Sequence, residues 1–289
     1  MTASASIPAK AGTSITASAP QPPMPGVWRV ALARGQVELK SFFRERQSVV
    51  FILAMPAIML VLLGTIFGRE SSNAPGITIG DLYVAGLIGG GVMATSYQNL
   101  GMSVAFDRER FTLKRLRGTP MPAAAYFAGK VIQVLVAAIA ETVVLGGVGL
   151  AFYHLRLPSS LAAWWTFTWV FVLGVAACSL LGVAASSVVR SAARNGVAVI
   201  TLPFVVLQFI SGVYVPFYLV PPWLRDIASV FPLEWMCRGM RSVFAPQAVT
   251  LGPGHSWQHG QTALALTAWI VAGLVLCLTT FRWQNRRDR

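Results

Sequence analysis

The densest group of ionisable side chains is the run Asp107-Arg108-Glu109-Arg110-Phe111-Thr112-Leu113-Lys114-Arg115-Leu116-Arg117-Gly118-Thr119-Pro120. It stands in a chain of 289 residues that is otherwise mostly apolar, with 11% charged residues. A charged helical segment of this kind can bind a partner by charge complementarity and pass the partner's motion on. Thr119-Pro120-Met121-Pro122 ends any helix there, because the residue before a proline avoids the α region. The same Thr119-Pro120 can open the next helix as N-cap and first helical residue.

Few other residues could do chemistry. Glu141 is the one acidic residue well inside an apolar run. Carboxylates inside a membrane are costly and face a cavity or a partner. Two readings stand: a transport-path or proton-linked group, or a packing residue bonded to Gln208 or Gln133. Tyr97, Gln98 and Asn99, with Gln208 further on, could line a path. Interhelical hydrogen bonding would equally account for them. His255 and His259 have i, i+4 spacing but flank Trp257 in a Gly-rich loop with no third ligand, so no metal site is expected. Cys178, Cys237 and Cys277 form no CxxC pair and are expected to pack. The chain has no GxxxxGK[ST] phosphate loop, no HExxH and no GxSxG. It is therefore not expected to hydrolyse ATP or to be an enzyme by itself.

The elements that must position these residues are long and hydrophobic. The chain is 55% hydrophobic, and its mean hydropathy is +0.63. Soluble domains carry about 25% charged residues. The sequence therefore reads as an all-α integral membrane protein. Residues 1–26, rich in Ala, Ser, Thr and Pro, read as a disordered tail without a signal-peptide core. Residues 27–289 form one transmembrane domain. In 27–44 the residues Trp28, Leu32, Leu39, Phe42 and Phe43 share a face, with Arg29 among the basic residues opposite. That segment reads as an amphipathic helix in the membrane interface, the alternative being a charged flank of the first span. Spans are expected at about 49–67, 82–106, 124–152, 163–188, 196–213 and 262–281, each long enough for a core of about 30 Å. Gly86 and Gly90 make a GxxxG pair, a sign of close helix packing. Residues 214–246 are apolar but broken by Pro216, Pro221, Pro222 and Pro232. They read as two short re-entrant helices, tolerated only where protein buries them.

The net charge of +13 reports orientation. Six spans with both termini in the cytoplasm place 18 of the 23 Lys and Arg inside. A seventh span would move the Arg-rich C-terminus outside, against the positive-inside rule. Nucleic-acid binding is not expected, because no basic soluble module exists to carry it.

The run from Arg108 to Pro120, followed by Gly129-Lys130, resembles the signature of ABC-2 type permeases, in which R-E-x-x-T-L-x-R-L-x-x-T-P follows the second span. Tyr83-Val84-Ala85-Gly86-Leu87 is similar to their second-span opening. Ser211-Gly212-Val213-Tyr214-Val215-Pro216, Pro222-Trp223-Leu224, Phe231-Pro232-Leu233 and Arg241 resemble their outer re-entrant segment. The likeness covers about residues 28–285. It implies a multi-pass exporter subunit of a bacterial plasma membrane, moving a drug, lipid or glycolipid. It implies two permease copies, identical or sister chains, with separate nucleotide-binding ATPase subunits that hold ATP and Mg. This chain itself would hold no cofactor. Arg108, Glu109, Arg110, Thr112, Leu113, Lys114, Arg115, Leu116, Thr119 and Pro120 would then form the helix that couples to the ATPase. Phe111 departs from the pattern, since glycine is common there. The rival reading is a polytopic membrane enzyme acting on lipids. That would need clustered titratable residues at one membrane face, and only Glu234, Arg238 and Arg241 gather outside.

Overall fold

The computed structural model describes residues 26–67, 78–112, 115, 123–153, 155, 157–189, 191–215, 217–251 and 256–280. The expected tail, apart from Gly26, lies outside the described residues. So do the expected polar loop at 69–76 and the chain end at 281–289. The chain runs through α1 (Val27–Arg44), α2 (Arg46–Ile66) and α3 (Ile79–Glu109). α4 (Ala123–Tyr153) and α5 (Leu161–Val188) follow. α6 starts as a π-helix, Ala192–Thr201, and continues as Leu202–Ile210. The short α7 (Pro222–Val230) and α8 (Pro232–Phe244) precede α9 (His259–Thr280).

Five helices, α2, α3, α4, α5 and α9, are long and apolar enough to cross a membrane. Each lies within about three residues of the expected span. The expected span at 196–213 is shorter than the others. Its apolar helix is Asn195–Ile210, no more than about 24 Å long against a core of about 30 Å. The helix ends because the chain turns at Gly212, whose φ of +78° suits a residue without a Cβ. The long helices alternate in direction. Glu109, Ala123, Val188 and Ala192 gather at one end of the bundle, where Arg108 bonds Ser186 and Glu109 bonds Ala192. Thr78, Tyr153, Ser160 and His259 gather at the other, around one chamber.

α3 is the axis. Its start is fixed by a capping box: Thr78 Oγ1 accepts from the Asp81 amide, and Asp81 accepts from the Thr78 amide at 2.9 Å. From Ile79 to Met93 it is apolar all round and buried on every side. Glycines let its neighbours approach. A Cβ on Gly86 would come within 3.2 Å of the Gly212 carbonyl, and one on Gly89 within 3.0 Å of Cys237 Sγ. A Cβ on Gly101 would stand 2.9 Å from the Gly182 carbonyl of α5. The Gly86 and Gly90 pair thus packs closely, against the turn that ends α6. At Ala94–Asn99 α3 widens into a π-turn, a feature that tends to occur at functional positions.

Pro222 and Pro232 open α7 and α8 as first-turn prolines, where no intrahelical amide is needed. α8 is almost wholly buried, with Leu233, Met236, Cys237 and Met240 at 0% exposure. It lies against α3 and α5, the protein cover such a short helix requires. Its Arg238 pairs with Glu234 at 2.7 Å, and Arg241 donates to the Gly212 carbonyl. α7 is mostly exposed, including Trp223.

Candidate functional site

Two groups of polar residues stand out, one at the Glu109 end of the bundle and one halfway along it. The first is built around Lys130, in the first turns of α4, where it is 4% exposed. Its ammonium lies 3.0 Å from Glu38 of α1 and 2.9 Å from Asp107 of α3, and it donates to Ser103 at 2.8 Å. Tyr126 donates to the same Asp107 oxygen at 2.8 Å. Arg34 pairs with Glu38 and lies over the Tyr126 ring. Three helices therefore share one network of two cations and two carboxylates, with Lys130 and Glu38 buried and Arg34 and Asp107 half-buried. Such a network holds only while every member is present, because a buried charge without its partner is costly.

The network needs α1 and α4 to approach closely, and glycines allow it. A Cβ on Gly129 would lie 2.7 Å from Arg34 Cγ, and one on Gly35 would lie 2.8 Å from Ile132 Cδ1. This gives the Gly129-Lys130 pair a physical reason: the glycine admits α1, and the lysine bonds it. α1 packs through Ala31, Gly35 and Glu38, while Trp28, Arg29, Leu32 and Phe43 stay exposed and Leu39 and Phe42 are half-buried. Sequence reasoning missed Glu38, Ser103 and Tyr126. The i, i+4 spacing of Arg34 and Glu38 was the available signal.

Next to this network, the end of α3 reaches across the bundle. Arg108 donates to the Ser186 carbonyl at 2.9 Å, where α5 ends. Glu109 accepts from the Ser191 hydroxyl at 2.8 Å and the Ala192 amide at 2.9 Å. A carboxylate at a helix N-terminus meets unpaired amides and the positive end of the dipole, so Glu109 anchors α6. Arg108 is half-buried and Glu109 exposed, and both are bonded to neighbouring helices. Arg110 and Arg115 are exposed, and Arg115 donates to the Arg110 carbonyl at 3.2 Å. Thr112 is half-buried. Phe111 has φ +57°, the left-handed region where side chains are disfavoured, so glycine would fit this turn better. Leu113, Lys114, Leu116, Thr119 and Pro120 lie outside the described residues.

The second group flanks the π-turn of α3. Gln98, Asn99 and Gln208 line one cleft of about 220 Å³ with Phe51 and Met55 of α2 and Phe204 of α6. Gln208 donates to the Gly90 carbonyl at 3.0 Å, and Gln98 donates to Thr201 at 3.3 Å. Glu141 and Tyr97 do not line this cleft. Glu141 is 1% exposed, and it accepts from Thr95 at 2.6 Å across the α3–α4 contact. Its partner is therefore Thr95 of the π-turn, not the expected Gln208 or Gln133, which the sequence separation could not distinguish. Tyr97 is buried against α5, where a Cβ on Gly182 would stand 2.5 Å from its carbonyl. Of the outer residues, Arg241 reaches Gly212, whereas Pro216 and His255 lie outside the described residues. His259 opens α9, 3.0 Å from Ser242.

A helical bundle with several membrane-length helices, an amphipathic helix bonded to its base and a charged segment at one end defines a polytopic membrane protein. Residues 31–245 match the family described as ABC-2 type transporter, and the chain belongs to that family. It is 27% identical over 207 residues to ycf38 of Porphyra purpurea, assigned as a transport permease, across 67% of this chain and 66% of that protein. It is 26% identical over 133 residues to YbhR of Escherichia coli (strain K12), assigned as a multidrug ABC transporter permease, across 46% of this chain and 35% of that protein. The chain thus aligns with less than two thirds of the length of these relatives.

Proposed function

We propose that the chain is the membrane permease of an ATP-driven exporter, with ATP and Mg bound by separate ATPase subunits. Six spans, the sixth being the short α6, would cross a bacterial plasma membrane with both ends in the cytoplasm. The exposed Arg110 and Arg115, with Lys114 between them, would dock on the ATPase. The observation that carries this reading is the bonding of that segment's α3 end to its neighbours. The α3 end bearing it is tied to α1 and α4 through Lys130, to α5 through Arg108 and to α6 through Glu109. A push on the segment would therefore move four helices at once and shift the balance of inward and outward states. The exposed Trp28, Leu32 and Phe43 would hold α1 in the lipid interface. The cleft at Gln98, Asn99 and Gln208 is apolar with a few amides, which suits a hydrophobic or amphipathic cargo such as a drug, lipid or glycolipid. A second permease copy, identical or a sister chain, would complete the pathway.

Copurification tests the reading. Charge reversal at Arg110, Lys114 and Arg115 should abolish recovery of an ATPase partner while the permease still folds. Recovery of the partner at the unmodified level would count against docking through this segment.

A further inference from the structure

We propose that a zwitterionic membrane phospholipid occupies the gap between α4 and α5, at the end of the bundle away from Arg108. One acyl chain lies in an apolar groove and the head lies in a polar chamber beyond it. The proposal rests on the reading of these helices as membrane spans. α4 and α5 touch each other little along their length. Between them is a groove of about 600 Å³, lined by Ile139, Val143 and Gly147 of α4 and Trp164, Phe171 and Val172 of α5. Ile139, Val143 and Val172 are 52%, 67% and 51% exposed, so the groove opens sideways toward lipid.

The groove's described lining offers no free donor to a polar ligand. Its hydroxyls, Thr142 and Thr168, donate within their own helices at 2.8 Å, to Ala138 and Trp164. Its glycines are not there for close packing. A Cβ on Gly146 or Gly147 would meet nothing within 4 Å, in contrast to Gly129 or Gly182. The lining runs from Leu135 to Leu150, about 22 Å of helix. One leaflet's half of the hydrocarbon core is about 15 Å deep. A single acyl chain therefore fits in length and in chemistry.

The chamber of about 830 Å³ continues the groove, since Leu157 and Phe244 line both. Its described polar lining includes Asp81, Ser160, Thr166, Ser242 and His259. Asp81 is the one carboxylate in that lining, and neither Lys nor Arg is among the described residues there. A cationic amine suits Asp81, and a phosphate suits the hydroxyls of Ser159 and Ser160, since those of Thr166 and Ser242 donate within their own helices. A head with negative charge alone would face Asp81 without a matching cation among the described residues.

Native mass spectrometry of the assembled complex, released from nanodiscs of phosphatidylethanolamine and phosphatidylglycerol in equal amounts, tests this. The expected result is one phosphatidylethanolamine retained per permease copy. Gly147→Trp and Gly146→Leu fill the groove and should lower that occupancy at least tenfold. Leu264→Trp, on the 74% exposed position of α9, should leave it unchanged. Three results overturn the proposal: wild-type occupancy in both filled variants, phosphatidylglycerol retained instead, or separation of the permease copies by the filling. The last would make the groove a subunit interface. Failure of the transport reading shows separately, as a complex without an ATPase that still retains the lipid.

Discussion

Lys130→Met tests the network beneath α1. Methionine keeps most of the lysine's length, so the change removes a charge without opening a large cavity. It leaves Glu38 and Asp107, which are 3.0 Å and 2.9 Å from the lost ammonium, without that partner. Removing one member of a buried ion pair costs about 3–5 kcal/mol. Here each carboxylate keeps one other donor, Arg34 for Glu38 and Tyr126 for Asp107. The expected loss is therefore at the lower end, about 3 kcal/mol. At about 2–4 °C per kcal/mol, the melting temperature should fall by about 6–12 °C. The assay is thermal unfolding in nanodiscs, followed by tryptophan fluorescence. Glu38→Gln removes the opposing charge, so the double variant should be less damaged than the two single losses together. The coupling should be about 1–3 kcal/mol. Single losses that add to within about 0.5 kcal/mol would refute the network, as would Lys130→Met melting with the parent protein.

Two further substitutions probe backbone geometry. Phe111→Gly should raise the melting temperature slightly, because a side chain in the left-handed region costs about 1–2 kcal/mol and glycine's extra chain entropy returns about 0.5–1 kcal/mol. Phe111 is 58% exposed, so little packing is lost, and a clear fall in stability would contradict the account. Gly182→Ala should be severely destabilising, because its Cβ would sit 2.5 Å from a backbone oxygen on α3. Gly146→Ala, whose Cβ meets nothing within 4 Å, should be neutral or stabilising by up to about 1 kcal/mol. Equal behaviour of these two variants in folded yield would overturn the close-approach argument.

Much of this arrangement was legible in the residue pattern. Long apolar runs placed five membrane-length helices to within a few residues, because length and hydropathy decide them. Prolines at 222 and 232 placed α7 and α8, since a proline is tolerated at a helix start and little further in. The short reach of α6 was less visible. Counting apolar residues to Val213 ignored that Gly212 turns the chain, and that a π-helical start advances less per residue than an α-helix. The polar partnerships were the least legible. Glu141 could have met any amide on a facing helix, and only the π-turn of α3 aims Thr95 at it. Arg108 and Glu109 read as part of a docking surface, and the bonds they also make to α5 and α6 were not visible in the sequence. Which side of a helix end faces inward depends on tertiary packing, and a cluster of charges does not record it. For α1 the apolar stripe was plain, while the contact face was not. Ala31, Gly35 and Glu38 carry no hydrophobic signal and still make the contact.

The burial of α3 has a consequence for how the protein is made. α3 is the least apolar of the five candidate spans and the most enclosed. It leaves the ribosome before α4, α5, α6 and α8 exist to enclose it. Residues 110–244 must follow before α8 can cover Gly89. At about 5–20 residues per second that wait is on the order of ten seconds. In the first part of it, before α5 and α6 are made, Tyr97 lacks the Gly182 face, and Gln98 and Asn99 lack the Gln208 wall of their cleft. A nascent chain in this state is a natural client for membrane chaperones, and slow codons within 110–244 would lengthen its exposure to quality-control proteases.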